Sequence, residues 1–567
     1  MNGYYRQVGV FMIGLLIFVV SVIEQVNGQA VFAYPLRIKP KLNANFGEMR
    51  PNHFHMGLDL STMSRENLPV YAPSNGFISR IKIETGGFGR AIYIDHPNGT
   101  TTLYAHMNKF IPAAETYLKE QQYVQQSWKI DLKVPPDLIP VKRGQLIGYS
   151  GNTGASQGPH VHYEIRDTKT ENCLNPLLLN FPLTDHTPPE LFRIAFYDRN
   201  RSIYEQTPIV VGLIKRGGKY VFDKTLELPF DKVFIAIQAI DRVTGFPNPN
   251  GIFSASLMQD GIELSSFKME NISYDQTRYL NGHIDFKTKM KGGPYYQMLF
   301  PPKEFGLDIY TVNEDKRFFE LGKQPSSFVL NVADANGNIS VAEFKANSKR
   351  VTQTIAQKRE GVLITAGDLN ILDDPQIQFV FHEDAFYDDV YLKVQPFYKN
   401  SKYELSSVFQ TLPEHIPVHS RFTVRIKPNR IEGLIDTAKV LMKRTYKTTT
   451  EVKKARDEKG FFAAEFRDLG FFQLIEDVEP PVISTSFASG TIISTGSRMV
   501  VNVMDNNKII DQFTAKVDGK WLMFRPSGNS YVYIVDEHFP VGEHKLSVVV
   551  KDLAGNSIIK EWGINRR

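Results

Sequence analysis

Cysteine is almost absent from this sequence, since Cys173 is the only one among 567 residues. A lone cysteine cannot form an intramolecular disulfide, and it cannot supply the cysteine cluster of a structural zinc site. The domains must therefore be stabilised by their hydrophobic cores, and any zinc site must use histidine and carboxylate ligands. We expect Cys173 to be a small buried apolar residue.

A strong excess of one charge sign is also lacking, because 66 basic and 61 acidic side chains leave a net charge of +5. This balance, without a basic and aromatic motif, argues against a nucleic-acid partner. The sequence contains no H-E-x-x-H, no G-x-S-x-G and no P-loop lysine motif, which disfavours the enzymes that depend on them. A glycosidase with paired carboxylates stays open by spacing, although no such pair stands out.

Only one long apolar run is present, Val8 to Ile23, and it follows a short segment with a single arginine. Val26 and Gly28 occupy the −3 and −1 positions of a cleavage site before Gln29. We interpret residues 1–28 as a signal peptide, with an uncleaved signal anchor as the alternative. No later segment predicts a membrane span, so we expect export to the periplasm, the cell envelope or the exterior.

A chain of 567 residues is too long for one core, and its strand patterns divide it into several domains. Residues 30–183 contain short alternating strands, interrupted at about 108–141 by an insertion with a predicted short helix. Two similar β units are predicted at 187–348 and 480–567, and a proline-rich linker opens each of them. A further β-sandwich is predicted between them, at 351–478. The predicted fold class is therefore mainly β.

Several turns can be assigned from their residues. Pro97-Asn98-Gly99 between two strand patterns predicts a hairpin with a type I′ turn. The two similar units share an Asp-Gly turn and end in D-x-x-G-N, beginning at Asp334 and at Asp552. These ends could bind a cation through Asp and Asn oxygens, but a tight turn is the favoured interpretation.

Residues able to bind a metal are concentrated in the first domain. His160 and His162 are two apart in a predicted strand, so their side chains share one face and can reach one centre. His55 and Asp59 lie where a loop enters a strand, and they can converge if the loop curls. Together with His162 they would form two imidazoles and one carboxylate, a set typical of catalytic zinc with an open fourth position.

His106 follows another predicted strand in the sequence TLYAHM and has no ligand partner at short spacing. An imidazole there suits a general base or an oxyanion stabiliser opposite His160. The alternative for each of these histidines, taken alone, is an ordinary structural role.

The blocks HFHMGLDLS, TLYAHM and GNTGASQGPHVHYEI, in this order, resemble the lysostaphin-like (LytM-type) zinc endopeptidases, which cleave peptide cross-links of bacterial cell walls. The resemblance spans about residues 45–180. It implies an antiparallel β core with a groove, and Ig-like β-sandwiches would follow it. Met107 replaces a usual leucine, and the insertion at 108–141 replaces a short connection.

The resemblance also implies residue roles. It makes His55, Asp59 and His162 the Zn²⁺ ligands, and His106 and His160 the catalytic pair. All five positions are intact, whereas inactive relatives typically lose some of them. The remaining histidines of this domain fall outside the motif and are expected to be structural or at the surface: His53 and His96.

The function implied is a secreted zinc metallo-endopeptidase that hydrolyses peptidoglycan, with stem or bridge peptides as substrates. The β-sandwiches would space the peptidase domain or bind the wall and other envelope proteins. Two alternatives stay open. One is a non-catalytic envelope scaffold or regulator whose groove is occluded by the 108–141 insertion, and the other is a peptidase for secreted proteins.

Overall fold

The structure is a computed structural model, and it describes residues 32–313, 317–349, 359–397, 404–429 and 435–567. The fold is mainly β, with 48% of residues in strands and 6% in helices, which confirms the predicted class. The interpreted signal peptide lies outside the described residues. Within them, no helix combines the length and apolar character needed to cross a bilayer.

The N-terminal region consists of short strands and one longer helix. Its elements are β1 (Leu42–Ala44), β2 (Met49–Arg50), β3 (His53–Phe54), β4 (Leu58–Ser61), β5 (Pro69–Tyr71), β6 (Gly76–Ile83), β7 (Arg90–Asp95), β8 (Thr100–Ala105), β9 (Lys109–Phe110), α1 (Pro112–Gln125), β10 (Ile130–Lys133), β11 (Pro140–Val141), β12 (Leu146–Tyr149), β13 (His160–Asp167) and β14 (Cys173–Leu174). The main sheet has the order β1-β4-β13-β8-β7-β6-β10, and β5-β12-β9 form a smaller one. Neighbouring strands of the main sheet are antiparallel, as expected.

Strand β13 lies inside the main sheet, between β4 and β8, and carries two different faces. Val161, Tyr163 and Ile165 are fully buried in the core. Because side chains alternate along a strand, the intervening residues project from the opposite face. These are His160, His162, Glu164 and Arg166.

The predicted hairpin between β7 and β8 is present, but its turn differs from the predicted type. Only Gly99 has a positive φ, of 80°, whereas a type I′ turn needs positive φ at two residues. The Gly99 N–H donates to His96 O (3.2 Å), and the His96 N–H donates to Thr100 O (2.9 Å). The loop is thus longer than the Asn-Gly pair alone predicts.

Helix α1 lies in the insertion, where the sequence predicted a helix. Pro112 begins it, as suits a residue without an N–H to satisfy, and Gln126 ends it in the left-handed conformation. Its exposed side contacts the C-terminal domain: Tyr123 stacks on His538 with 3.6 Å between ring centroids. Lys119 forms ion pairs with Asp536 (2.9 Å) and Glu537 (2.7 Å) in the same domain.

The second region packs two sheets face to face. Its elements are β15 (Glu190–Asp198), β16 (Ile209–Gly212), β17 (Ile214–Arg216), β18 (Lys219–Val221), β19 (Leu226–Leu228), β20 (Lys232–Ile240), β21 (Ser254–Gln259), β22 (Ile262–Lys268), β23 (Asn271–Ile272), α2 (Leu280–His283), α3 (Phe286–Met290), β24 (Gln297–Met298), β25 (Tyr310–Val312), β26 (Phe319–Glu320), β27 (Ser326–Ala333) and β28 (Ile339–Ser348). Phe196 of one sheet contacts Phe344 of the other, with ring centroids 5.9 Å apart. Strand β23 instead pairs with β14 and so joins this region to the N-terminal sheet.

The third region also has two sheets, which meet at Phe379 and Phe472 (5.4 Å between centroids). Its elements are β29 (Val362–Ile364), β30 (Asn370–Asp374), β31 (Ile377–Phe381), β32 (Val390–Phe397), β33 (Val408–Leu412), β34 (Phe422–Ile426), β35 (Val440–Tyr446), β36 (Thr449–Lys454), β37 (Arg456–Glu458), β38 (Phe461–Phe466) and β39 (Phe471–Glu476).

The fourth region repeats this arrangement, with Phe513 stacked on Tyr531 (3.7 Å) between its sheets. Its elements are β40 (Val482–Thr485), β41 (Thr491–Ile493), β42 (Arg498–Met504), β43 (Ile510–Val517), β44 (Lys520–Trp521), β45 (Arg525–Ser527), β46 (Ser530–Ile534), β47 (Gly542–Asp552) and β48 (Ser557–Arg566). The hydrophobic core is continuous through the first three regions, and the fourth region has its own core.

Candidate active site

The candidate site lies where β4, β13 and β8 are neighbours in the main sheet. Asp59 on β4 is directly opposite His162 on β13, and His162 in turn is opposite Ala105, the last residue of β8. His55 lies in the loop before β4. Gly57 lets this loop cross β13 closely, because a Cβ atom there would lie 2.4 Å from Tyr163 O.

Three side chains converge at the centre of the site. Asp59 Oδ1 lies 3.0 Å from His55 Nε2 and 2.9 Å from His162 Nδ1, and the two nitrogens are 3.0 Å apart. All three residues are buried, at 2%, 5% and 6% exposure in chain order. The structure therefore brings together the three residues that the sequence nominated as metal ligands.

This donor set fits a zinc ion. Ligands of a tetrahedral zinc at about 2.0–2.1 Å are about 3.3 Å apart, and these atoms need only a small outward shift. The tautomers are suitable, since His55 Nδ1 donates to Asn45 O (2.7 Å) and His162 Nε2 donates to Glu164 Oε1 (2.8 Å). In its neutral form, which metal binding requires, each ring would thus present an unprotonated nitrogen to the centre.

His106 and His160 lie beside this centre, with ring centroids 4.6 Å apart. His106 Nδ1 donates to Thr153 O (2.8 Å), and His160 Nδ1 donates to Gly158 O (2.7 Å). These bonds fix both rings and leave Nε2 of each neutral ring as an acceptor. His106 also has a left-handed backbone with φ of 60°, a conformation that is uncommon for residues other than glycine and is often retained at functional sites.

Electrostatics around Asp59 and His162 favour added positive charge, whereas burial lowers the pKa of His55. Burial opposes protonation of His162, yet hydrogen bonds to Asp59 and Glu164 raise its pKa to about 9. Burial would also raise the pKa of Asp59, but the charge of His55 and hydrogen bonds from the three surrounding histidines hold it well below its ordinary value. A divalent cation bound to these side chains would supply the positive charge that the carboxylates of Asp59 and Glu164 favour.

The environment of His106 acts in the opposite direction. Burial, followed by the nearby charges of His160 and His162, lowers the pKa of His106 to about 3. His106 is therefore a neutral imidazole at physiological pH, and it can accept a hydrogen bond.

Glu164 was not predicted from the sequence. It contacts His162 at Nε2, whereas Nδ1 of the same ring faces the centre of the site. Its carboxylate accepts from His162, from Arg166 Nε (2.7 Å) and from the hydroxyl of Tyr274. Alternation along β13 places Glu164 on the face of His160 and His162, so the spacing was a usable signal. Tyr274 belongs to the second region, and no local pattern could have linked it to this site.

A second missed residue is Arg50, which contacts the other oxygen of the central carboxylate. Arg50 Nη2 lies 2.5 Å from Asp59 Oδ2, and this pair is partly buried. A charged hydrogen bond of this kind holds the carboxylate in one orientation. Asp59 is thus positioned from both sides, by Arg50 and by the histidines.

The centre opens into a cleft of about 690 Å³. Its walls combine aromatic and charged side chains, among them Phe88, Tyr93, Arg80 and Tyr274. The volume and mixed lining are typical of a ligand site. Residues lining the cleft come from outside 108–141, so the insertion does not wall it, and α1 lies against the C-terminal domain instead.

The two other histidines of the domain are placed apart from the three converging side chains. His96 is buried and bonds to Asn75 O (2.7 Å) and Thr102 Oγ1 (2.8 Å), which is a structural arrangement. His53 is exposed at the rim of the cleft, where Nδ1 bonds to Pro51 O (2.8 Å).

Comparison with known families matches two parts of the chain. The model of peptidase family M23 matches residues 53–131 and 139–176, and the model of the Zu5-like domain matches residues 362–477. The first match contains the three converging residues together with His106 and His160. The second covers the region predicted as the β-sandwich between the two similar units.

Three curated relatives align with the N-terminal part. An uncharacterized metalloprotease of Haemophilus influenzae is 29% identical over 184 residues, which are 31% of this chain and 32% of the relative. The DD-carboxypeptidase/endopeptidase Mpg of Neisseria meningitidis serogroup B is 32% identical over 133 residues, 24% of each chain. The peptidoglycan DD-endopeptidase ShyA of Vibrio cholerae is 27% identical over 161 residues, 27% of this chain and 31% of the relative. The alignments thus span a third or less of these relatives.

Proposed function

Because the N-terminal domain of this chain belongs to peptidase family M23, in its LytM or lysostaphin-like type, we propose that the protein is an exported zinc metallo-endopeptidase that hydrolyses peptide cross-links of bacterial peptidoglycan. The observation that carries the proposal is the buried convergence of His55, Asp59 and His162 beside His106 and His160. The names of aligned relatives, a DD-carboxypeptidase/endopeptidase and a peptidoglycan DD-endopeptidase, support this substrate class.

His55 Nε2, Asp59 Oδ1 and His162 Nδ1 would hold the zinc ion. When bound, zinc polarises a carbonyl group and lowers the pKa of water, which makes a nucleophile available near neutral pH. Glu164 keeps His162 in the tautomer that presents Nδ1, and Arg50 orients the carboxylate of Asp59.

The other two histidines handle protons and orient the reacting groups. His106 stays neutral, so its Nε2 can accept a hydrogen bond from the attacking water and would take up the proton that the water loses on attack. His160 Nε2 lies 3.4 Å from Asp59 Oδ1 and faces the same space. In its protonated form His160 can donate to the oxyanion or to the leaving amine.

The cleft determines how a peptide approaches. Phe88 and Tyr274 form an aromatic wall beside His162, with ring centroids 6.0 Å apart, and peptide side chains can pack against it. Arg80 and Lys82 also line the cleft, with Lys82 Nζ 5.4 Å from the centre of the Phe88 ring, and their charges favour the carboxylates of a stem peptide. The β-rich regions that follow would space this domain or bind wall and envelope partners.

The proposal can be tested with purified peptidoglycan sacculi and the chain lacking residues 1–28. Zinc-loaded protein is expected to convert cross-linked muropeptide dimers to monomers, as measured by chromatography and mass spectrometry, and a chelator should abolish this. His55→Ala should abolish it too, whereas His382→Ala, an exposed histidine of the third region, should not. Wall hydrolysis that survives His55→Ala refutes the assignment.

The same experiment separates the alternatives. A non-catalytic regulator would bind zinc and leave sacculi intact even after residues 108–141 are trimmed, but the position of α1 away from the cleft disfavours occlusion. A peptidase for secreted proteins would instead digest peptide substrates, including glycine-rich ones, and leave muropeptide cross-links uncut.

A further inference from the structure

A cluster of acidic residues outside the candidate active site lies at the junction between the peptidase domain and the second region. Asp185 belongs to the linker, Asp241 follows β20, and Asp334 begins the first D-x-x-G-N turn after β27. One carboxylate oxygen of each lies within 4.8 Å of the others. The three residues are 5%, 4% and 3% exposed, so three carboxylates share one buried space.

Two of these carboxylates are held by hydrogen bonds. Asp185 Oδ1 accepts from the N–H groups of Thr187 (2.9 Å) and Thr244 (2.8 Å). Asp334 Oδ1 accepts from the N–H groups of Asn336 (2.9 Å) and Asn338 (2.8 Å), as the predicted tight turn requires. The turn interpretation is therefore correct, but it accounts for Asp334 alone.

Asp241 is different, and it points to a missing ligand. Its Oδ1 is buried and has no hydrogen-bond partner. Burial, followed by the charges of Asp334 and Asp185, raises the pKa of Asp241 to about 8. A buried carboxylate without a partner is costly, so native proteins give it a proton, a counter-charge or a metal.

Among the described residues, no side chain supplies that counter-charge. In the described part of the chain, none of the three carboxylates forms an ion pair with lysine, arginine or histidine, and the adjacent Arg242 pairs with Glu190 (2.9 Å) instead. The cluster thus concentrates negative charge in a space closed to bulk water.

The same arrangement recurs in the fourth region, in the second copy of the repeated β unit. Asp477 in the linker, Asp505 after β42 and Asp552 at the other D-x-x-G-N again place carboxylate oxygens within 4.8 Å of one another. Asp505 Oδ1 is likewise buried without a hydrogen-bond partner. The final asparagine of each motif binds the linker in the same way, with Asn338 Nδ2 donating to Asp185 O (3.2 Å) and Asn556 Nδ2 to Asp477 O (2.9 Å).

We propose that Asp185, Asp241 and Asp334 bind a calcium ion, and that Asp477, Asp505 and Asp552 form the equivalent site at the last linker. The donors are all oxygen, which suits a hard cation, and an irregular cluster built from a linker and two loops suits the flexible coordination of Ca²⁺ better than the strict octahedron of Mg²⁺. The affinity expected for such extracellular modules is about 10⁻⁴–10⁻³ M.

Calcium in the first site would join two domains. Asp185 lies in the linker that leaves the peptidase domain, whereas the other two ligands belong to the region that supplies Tyr274 to the cleft. Binding would therefore fix the orientation of one cleft wall. This inference does not depend on the peptidase activity, because it concerns separate residues and a separate ion.

The test is calorimetric titration of the full chain with CaCl₂ in metal-depleted buffer, with its zinc content left unchanged. Wild-type protein is expected to bind two Ca²⁺ per chain and to gain thermal stability. Asp241→Asn, which keeps the side-chain shape, should remove one Ca²⁺, and Asp505→Asn should remove the other. Asp260→Asn is the matched control, because Asp260 is an exposed aspartate of the same region, and it should bind as wild type does.

A separate measurement, thermal melting, shows whether Asp241→Asn is still folded. In calcium-free buffer Asp241→Asn should melt no earlier than wild type, because the substitution removes repulsion within the cluster. The proposal is overturned if wild type binds no Ca²⁺ at about 10 mM, well above the expected range, or if folded Asp241→Asn binds as many ions as wild type. Equal displacement of Ca²⁺ by Mg²⁺ would overturn the choice of calcium.

Discussion

Replacement of Glu164 by glutamine tests how the site is supported. Glu164 is fully buried and accepts hydrogen bonds from His162, Arg166 and Tyr274. Burial opposes its ionisation, but the charge of Arg166 and the bond from His162 lower its pKa to about 2. Glu164→Gln keeps the shape of the side chain and removes this charge.

Two separate losses are expected. Outer carboxylates that orient a metal-bound histidine typically contribute about 10–100-fold in metal affinity, or about 1.4–2.7 kcal/mol. Zinc affinity should fall by that factor, because the acceptor of the His162 Nε2 hydrogen bond loses its negative charge. Arg166 is left buried without its counter-charge, and breaking a buried pair in this way costs about 3–5 kcal/mol of folding stability.

Zinc affinity would be measured by competition with a chromogenic chelator, and stability by urea unfolding of the metal-free protein. Glu171→Gln is the matched control, because Glu171 contacts the same Arg166 at 3.7 Å but is 67% exposed. It should change both quantities little, as surface ion pairs do. If folded Glu164→Gln binds zinc as tightly as Glu171→Gln does, the supporting role of Glu164 is wrong.

Three further predictions follow from other residues. His106→Ala should lower the rate of muropeptide cleavage by about 10²–10⁴ and leave the zinc content unchanged by elemental analysis, whereas loss of zinc would contradict a role outside the ligand set. Tyr274→Ala should raise KM, because it removes a cleft wall supplied by the second region, and should also weaken zinc binding, because it removes the hydroxyl that bonds to Glu164; an unchanged KM at saturating zinc would contradict the role in the wall. In calcium-free buffer, the free energy of unfolding should fall as the pH rises from 3.8, the ordinary pKa of an aspartate, to about 8, the pKa of Asp241 in its buried place beside Asp334 and Asp185. In this range the folded Asp241 carboxyl keeps a proton that the unfolded chain releases. Urea unfolding across this range checks the slope, and Asp241→Asn should flatten it.

Much of the candidate centre could be predicted from local sequence. Period-two alternation places His160 and His162 on one face of a strand, and the loop before β4 lets His55 approach Asp59. The mainly β class followed from the same alternation. The structure adds the distances that bring these residues together, while their roles as ligands and catalysts remain predictions.

Other features depend on contacts that sequence patterns do not encode. Tyr274 reaches Glu164 across 110 positions of the chain, and the linker residue Asp185 meets Asp241 only when two loops fold onto it. The position of the insertion could not be predicted either. Its helix α1 contacts the last region of the chain, which is distant in sequence. The hairpin after β7 differed because Pro97 precedes the Asn-Gly pair and a longer loop forms.

The peptidase domain and the second region form one structural unit. Strand β23 extends the main sheet through β14, the hydrophobic core continues across the boundary, and Tyr274 follows β23 into the cleft. A fragment ending near residue 183 would therefore expose the edge of β14 and lose the hydroxyl that bonds to Glu164. Since Glu164 in turn orients His162, removing the second region should weaken zinc binding itself. Retention of wild-type zinc affinity by a folded fragment would show that the two regions are coupled only by their connection.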